Sequence, residues 1–205
     1  MKKILCYGAS NTFGFNPIDD SRFNASTRWT ALLQKNLIDS YEIIEEGMCD
    51  RTGFVDNPKG FLYSSQRHLP KFLSKSEKFD IIILSIGTND LQFQYNISFN
   101  AVQRGLAALI KTAQEKADKV IIIPPVILNE SILKGYFKIQ FDETSMIKSR
   151  KMGTIYRKLS NAFNCRYFDI NKIAQPSCLD GLHYDETAHK IIADKLTQYI
   201  MEIEK

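Results

Sequence analysis

Apolar positions change their spacing repeatedly along the chain, and each change marks the boundary of an element. "KILCY" is a short apolar run that ends at Gly8 and predicts a buried strand. Trp29, Leu32, Leu33 and Leu37 then recur at i, i+3, i+4 and i+8, the spacing of one helix face. "YEIIEE" predicts a second, shorter strand, and "FDIIILSIG" a third whose unbroken β-branched run requires cover on both faces. Val102, Leu106, Leu109 and Ile110 line one side of a helix over 99–116. "KVIIIPP" is a fourth strand, stopped by prolines that cannot continue a ladder. A loop over 124–144 and a helix over 145–163, with Ile155, Leu159 and Phe163 on its apolar stripe, lead to a short fifth strand in "CRYFDI". The last helix starts near Asp185, a good N-cap, and carries Ile192, Leu196 and Ile200.

Strands alternating with helices predict an α/β fold: a mostly parallel sheet of about five strands with helices on both faces. The 205 residues suffice for a single domain, 1–205, and are short for two. In such sheets ligands bind beyond the carboxyl ends of the strands.

Composition narrows the classes without choosing among them. A hydrophobic content of 44% and a charged content of 24% match an ordinary soluble globular chain. The net charge of +4 is mild and its Lys and Arg are scattered, which argues against a nucleic-acid partner. "KSRK" at 148–151 reads as the solvated start of a helix. The apolar run of "MKKILCYG" is too short for a signal peptide, and no stretch has the length of a membrane span. A cytoplasmic location without membrane attachment is the expectation. Cys6, Cys49, Cys165 and Cys178 lie far apart without metal-like spacing, so neither a metal site nor disulfides are expected.

Candidate chemistry collects where the fold predicts it. "YGASNTFG", "EGMCDRTG" and "SIGTND" follow the first three strands, and "DGLHYDE" precedes the last helix. Ser10 sits on a glycine-bounded turn that exposes its hydroxyl, and His183 lies three residues after Asp180. A serine hydroxyl becomes nucleophilic when a histidine takes its proton and a carboxylate orients that histidine. Asn89 adds an amide donor, and backbone N–H groups at Ser10 and after the second strand add more, as an oxyanion hole requires. Taken singly, each residue is as well explained by a turn or cap. The first turn could also cradle a phosphate, with Glu45 or Glu46 as the acidic partner, but "GASNTFG" lacks the dinucleotide and Walker patterns. That reading also leaves Asn89, Asp180 and His183 without a role. His68, with no carboxylate partner in view, and His189, on the last helix, read as ordinary structural histidines.

These blocks resemble those of the SGNH (GDSL-type) hydrolases: "GASNTFG" the first, "GTND" the third and "DGLH" the last, in order and across nearly the whole chain. "RWTALL", "IEEGMCDRTGF" and the paired prolines are similar to the arylesterase and acyltransferase branch. The resemblance implies a three-layer α/β/α, flavodoxin-like sandwich and a serine esterase acting on small acyl esters, with no cofactor. It also implies transfer to alcohols and homo-oligomers in some members. Carried over, Ser10 is the nucleophile, His183 the base and Asp180 its orienter, with the Ser10 and Asp50 N–H groups and Asn89 as the oxyanion hole. A carbohydrate deacetylase, a thioesterase or a catalytically weakened binding protein are the alternatives on this fold. Phe13, Phe15, Gly47, Phe54, Leu91 and the 124–144 loop are candidates for the pocket wall.

Two positions depart from the family pattern. Ala9 stands where an aspartate usually precedes the nucleophile, a loss expected to loosen the rim, and Asp50 stands where a glycine usually offers its N–H. A carboxylate about 4 Å from an oxyanion opposes it by roughly 4 kcal/mol at an effective dielectric near 20. The Asp50 side chain is therefore expected to point away from the site, toward Arg51.

Overall fold

The computed structural model describes residues 1–205. Its sheet has five parallel strands, β1 (Lys2–Gly8), β2 (Tyr41–Gly47), β3 (Phe79–Ser85), β4 (Ala117–Ile123) and β5 (Arg166–Tyr167), in the order β2-β1-β3-β4-β5. This is the flavodoxin-like order, whose switch point lies between β1 and β3. Six helices connect and cover it: α1 (Ser10–Phe13), α2 (Trp29–Asn36), α3 (Ser65–Ser74), α4 (Phe99–Gln114), α5 (Glu143–Ala162) and α6 (Glu186–Ile203).

The core follows from the apolar runs. Ile4, Leu5, Ile81–Leu84 and Ile121–Ile123 are almost wholly inaccessible, as strands covered on both faces must be. Register pairs Gly8 with Gly47 and with Ser85, and Ser85 with Ile123. Four strands thus end level, and the segments that follow them emerge side by side.

Three expectations shift. The fifth strand contracts to Arg166–Tyr167, pairing only with Ile121 and Ile122. "KSRK" lies inside α5 rather than at its start, because the Asp142 side chain caps the helix from further upstream. The pattern also missed α3, whose interior Pro70 argues against a helix, yet whose Leu69 and Leu73 join the core.

Helices α2 and α6 pack against each other through His189, which is fully buried. No side chain of its own caps α2; instead His189 Nδ1 accepts the Trp29 N–H at 3.2 Å. Its Nε2 has no partner. Burial pushes its pKa down to about 4, outweighing the nearby Asp185 carboxylate, with a small further lowering from His183. The unfolded chain therefore binds a proton near pH 6.5 that the folded protein refuses until about pH 4. Stability falls as pH drops through that window, by on the order of 3 kcal/mol from this residue. In urea unfolding, His189→Asn, which keeps an acceptor for Trp29, should be the less stable form at pH 7. The gap to wild type should narrow by about 2 kcal/mol at pH 4.5. A gap that does not change with pH refutes the assignment.

Candidate active site

The turn after β1 presents the first candidate. Its Ser10 opens the single-turn α1, whose Gly14 closes it with φ 85°, a left-handed conformation that glycine adopts without strain. Gly47, level with Gly8 on β2, does not line a pocket as expected. A Cβ there would lie 2.3 Å from the Phe13 amide nitrogen, so it is the close approach of β2 to this turn that needs glycine.

The loop before α6 brings the other two. His183 Nε2 lies 2.8 Å from Ser10 Oγ, and its Nδ1 lies 2.6 Å from Asp180 Oδ2. The second Asp180 oxygen accepts the Leu182 and His183 amides, each at 2.9 Å. Burial pushes the Asp180 carboxyl upward, but the His183 hydrogen bond and charge and these two amides outweigh it and hold it below the usual carboxylate range. With Nδ1–H donated to a charged carboxylate, Nε2 is the free acceptor that faces the serine hydroxyl. His183 is itself 2% exposed, with Phe15 and Phe137 packed over it at centroid distances of 4.2 and 5.3 Å.

Asn11 joins the two segments and was not anticipated, although it is the neighbour of Ser10. Its amide donates to Leu182 O at 3.1 Å and its oxygen accepts the Tyr184 N–H at 3.0 Å. The turn beside Ala9 is thus tied to the histidine loop without an aspartate at position 9; a void of about 20 Å³ near Ala9 is walled in part by Ser85, Thr88 and Tyr184.

The segment after β2 is fixed by the turn that follows β3. Asn89 Nδ2 donates to Arg51 O at 3.0 Å. The adjacent Asp90, buried and also not anticipated, accepts the amides of Gly53, Phe54 and Val55 at 2.6, 2.7 and 3.0 Å. Burial raises its carboxyl to about 6 against the pull of those donors. Neither Ser10 nor Asp50 donates its amide N–H to any acceptor within the protein. Asp50 adopts φ 62°, which costs a residue with a Cβ roughly 1 kcal/mol, although Asp tolerates it better than most.

Asp50 and Arg51 do not pair. The Arg51 side chain turns inward, wholly buried, to Glu46 at 2.8 Å, whereas the Asp50 carboxylate meets Lys59 Nζ at 2.5 Å at the edge of the cavity. Nor is His68 without a carboxylate: Glu46 lies 4.0 Å from its Nε2, and Tyr7 OH 3.2 Å from its Nδ1.

Ser10, Asp50, Asn89 and His183 open into one cavity of about 260 Å³, whose other lining includes Cys49, Lys59 and Leu182. Phe15 is among its lining residues, and the 124–144 loop contributes Tyr136, Phe137 and Gln140. Three pocket candidates do not belong to its wall. Phe13 lies under the Arg22 guanidinium, Phe54 fills the space over Gly87 and Gly105, and Leu91 is buried in the core. No group of His, Cys, Asp and Glu has the arrangement of a metal site. No helix is long and apolar enough to cross a membrane.

The model of the GDSL-like lipase/acylhydrolase family matches residues 4–196. No curated protein matches the sequence. Among solved structures, the native aryl esterase of M. smegmatis is 25% identical with a TM-score of 0.89, over 98% of this chain and 99% of that one. A carbohydrate acetylesterase family member from Sinorhizobium meliloti is also 25% identical at a TM-score of 0.89, over 98% of this chain and 97% of that one. A lipase/acylhydrolase from Enterococcus faecalis, 17% identical with a TM-score of 0.69 over 98% and 95% of the two chains, shares the fold.

Proposed function

The chain belongs to the GDSL-like lipase/acylhydrolase family and is an ester hydrolase, and on that premise we propose that it is a serine esterase of small acyl esters working through Ser10, His183 and Asp180. The observation that carries this reading is the continuous relay of Ser10 Oγ, His183 Nε2, His183 Nδ1 and Asp180 Oδ2, with links of 2.8 and 2.6 Å.

Ser10 Oγ attacks the ester carbonyl while His183 takes its proton, and Asp180 stabilises the imidazolium. The carbonyl oxygen becomes an oxyanion facing the unpaired amides of Ser10 and Asp50 and the Asn89 side chain, one of whose two N–H groups is committed to Arg51 O. Collapse breaks the bond to the alcohol, which leaves with the proton from His183, and an acyl group remains on Ser10. Water, deprotonated by His183, then releases the acid; an alcohol in the same place gives a new ester. A cavity of about 260 Å³ is at the small end for a ligand site, and the aromatic rings beside His183 restrict it to short acyl groups.

A hydroxyl-rich alcohol portion, as in an acetylated carbohydrate, is the second reading. It is favoured by the cavity's polar lining of Asp20, Asp50, Lys59 and Gln140 and by the likeness to the Sinorhizobium meliloti structure.

A fluorophosphonate probe tests the reading directly. It should label the chain once, at Ser10, as peptide mass spectrometry would locate. Absence of label, or label at another serine, overturns it.

A further inference from the structure

The second-strand segment carries a feature for which the relay has no use. Asn57–Gly60, the sequence Asn-Pro-Lys-Gly, folds back onto residue 50 and holds it at two points. Asn57 Nδ2 donates to the Asp50 carbonyl at 2.7 Å, and Lys59 Nζ meets the Asp50 carboxylate at 2.5 Å. The turn is itself built around Asn57, whose side-chain oxygen accepts the Lys59 N–H at 2.9 Å and whose carbonyl accepts the Gly60 N–H at 3.0 Å. Asn57 is buried although polar, so its contacts are fixed rather than incidental.

Residue 50 needs such support for two reasons. Its φ of 62° is a conformation that a residue with a Cβ avoids. Its carboxylate stands at a cavity where negative charge develops, and Lys59 is the one Lys or Arg lining that cavity. We propose that the Asn57–Gly60 turn clamps Asp50, with Lys59 as a positioning residue that draws the Asp50 carboxylate to the rim and cancels its charge, so that the Asp50 N–H serves the oxyanion. The clamp rests on the reading of residue 50 as an oxyanion donor. It explains how this chain tolerates an aspartate there.

Lys59 is more than half exposed, so its removal should leave folding intact, and an exposed ion pair contributes little to stability. With p-nitrophenyl acetate, Lys59→Gln should lower kcat by about tenfold, less than for a carboxylate about 4 Å from the oxyanion because the Asp50 carboxylate stands at the partly exposed, screened rim. KM should change less than about twofold and Lys59→Arg should restore most of the rate, because the guanidinium keeps the charge. In an Asp50→Gly background the same Lys59→Gln change should cost less than about twofold, because no carboxylate is left to neutralise. An equal loss in both backgrounds, or a loss confined to KM, makes Lys59 a substrate contact and overturns the clamp. Unchanged kcat in Lys59→Gln overturns it as well. Each outcome is separate from the fluorophosphonate result, which tests Ser10 whatever Lys59 does.

Discussion

Ser10→Ala should lower kcat on p-nitrophenyl acetate by about 10⁴ or more while leaving the melting temperature within a few degrees. In the proposed relay Ser10 Oγ forms the new bond, and no other serine or cysteine has the same partners. Cys49 lines the cavity, but its thiol is pushed up to about 11, chiefly by burial and then by the neighbouring Asp50 charge. It is therefore a poor substitute nucleophile at neutral pH. His183→Ala should cost about as much as Ser10→Ala, and the double variant little more, because residues that act as one unit lose their effect together. Asp180→Asn gives a sharper test of the relay. To keep the bonds from the Leu182 and His183 amides, the new side chain must retain oxygen at the Oδ1 position, which places its NH₂ against His183 Nδ1. Nδ1 then accepts, Nε2 carries the proton, and the base is presented in the wrong tautomer, a change worth roughly 10⁴ where it has been made in such relays. Steady-state kinetics on the four purified variants check these expectations. Retention of more than about 1% of the rate in Ser10→Ala, well above the residual that an oxyanion hole alone supports, would sink the assignment.

Sequence pattern reached the elements whose signal is local and the residues whose chemistry is rare. The runs at Ile81–Leu84 and Val120–Ile123 could be little else than covered strands, and both are. Ser10, Asp180 and His183 could be named because a parallel sheet delivers every post-strand segment to one edge, and they do meet there. Contacts that depend on where a loop turns back were not legible. Nothing local distinguishes Lys59 from any other surface lysine; it matters only because the Asn57 turn returns it to Asp50. Arg51 and Asp50 are adjacent in sequence, yet their side chains diverge, one to the interior and the other to the rim. The helix α3 was hidden by Pro70, because tertiary packing of Leu69 and Leu73 overrides a weak local propensity. Gly47 is required by a backbone crossing rather than by a pocket. A glycine can mark a pocket or a backbone crossing, and only the distance to Phe13 decides between them.

Arg51→Met should destabilise the protein by about 3 kcal/mol, the lower end of the range for breaking a buried ion pair from one side. Arg51 is wholly inaccessible, and its donors join three separate pieces of backbone. Nη1 serves Gly8 O at 3.1 Å and Glu46 O at 2.7 Å, Nε serves Leu62 O at 3.2 Å, and Nη2 pairs with the Glu46 carboxylate at 2.8 Å. The guanidinium also lies 4.4 Å from the centre of the Tyr7 ring. Methionine fills comparable space but donates nothing, so the Glu46 and Leu62 carbonyls lose this donor at once, while Gly8 O keeps only the Met48 N–H at 3.2 Å. Glu46 retains some access to water, which softens the penalty and is the reason to expect the lower figure. Lysine is no remedy, because a single ammonium cannot reproduce a planar fork that bonds in several directions; Arg51→Lys should recover less than half of the loss. At about 2–4 °C per kcal/mol for a chain of this size, the melting temperature should fall by roughly 6–12 °C. Urea unfolding followed by circular dichroism measures the free energy directly. A loss below about 1 kcal/mol would mean that water replaces the guanidinium; the strand ends that carry Ser10 and the Asp50 segment would then owe their alignment to the sheet alone.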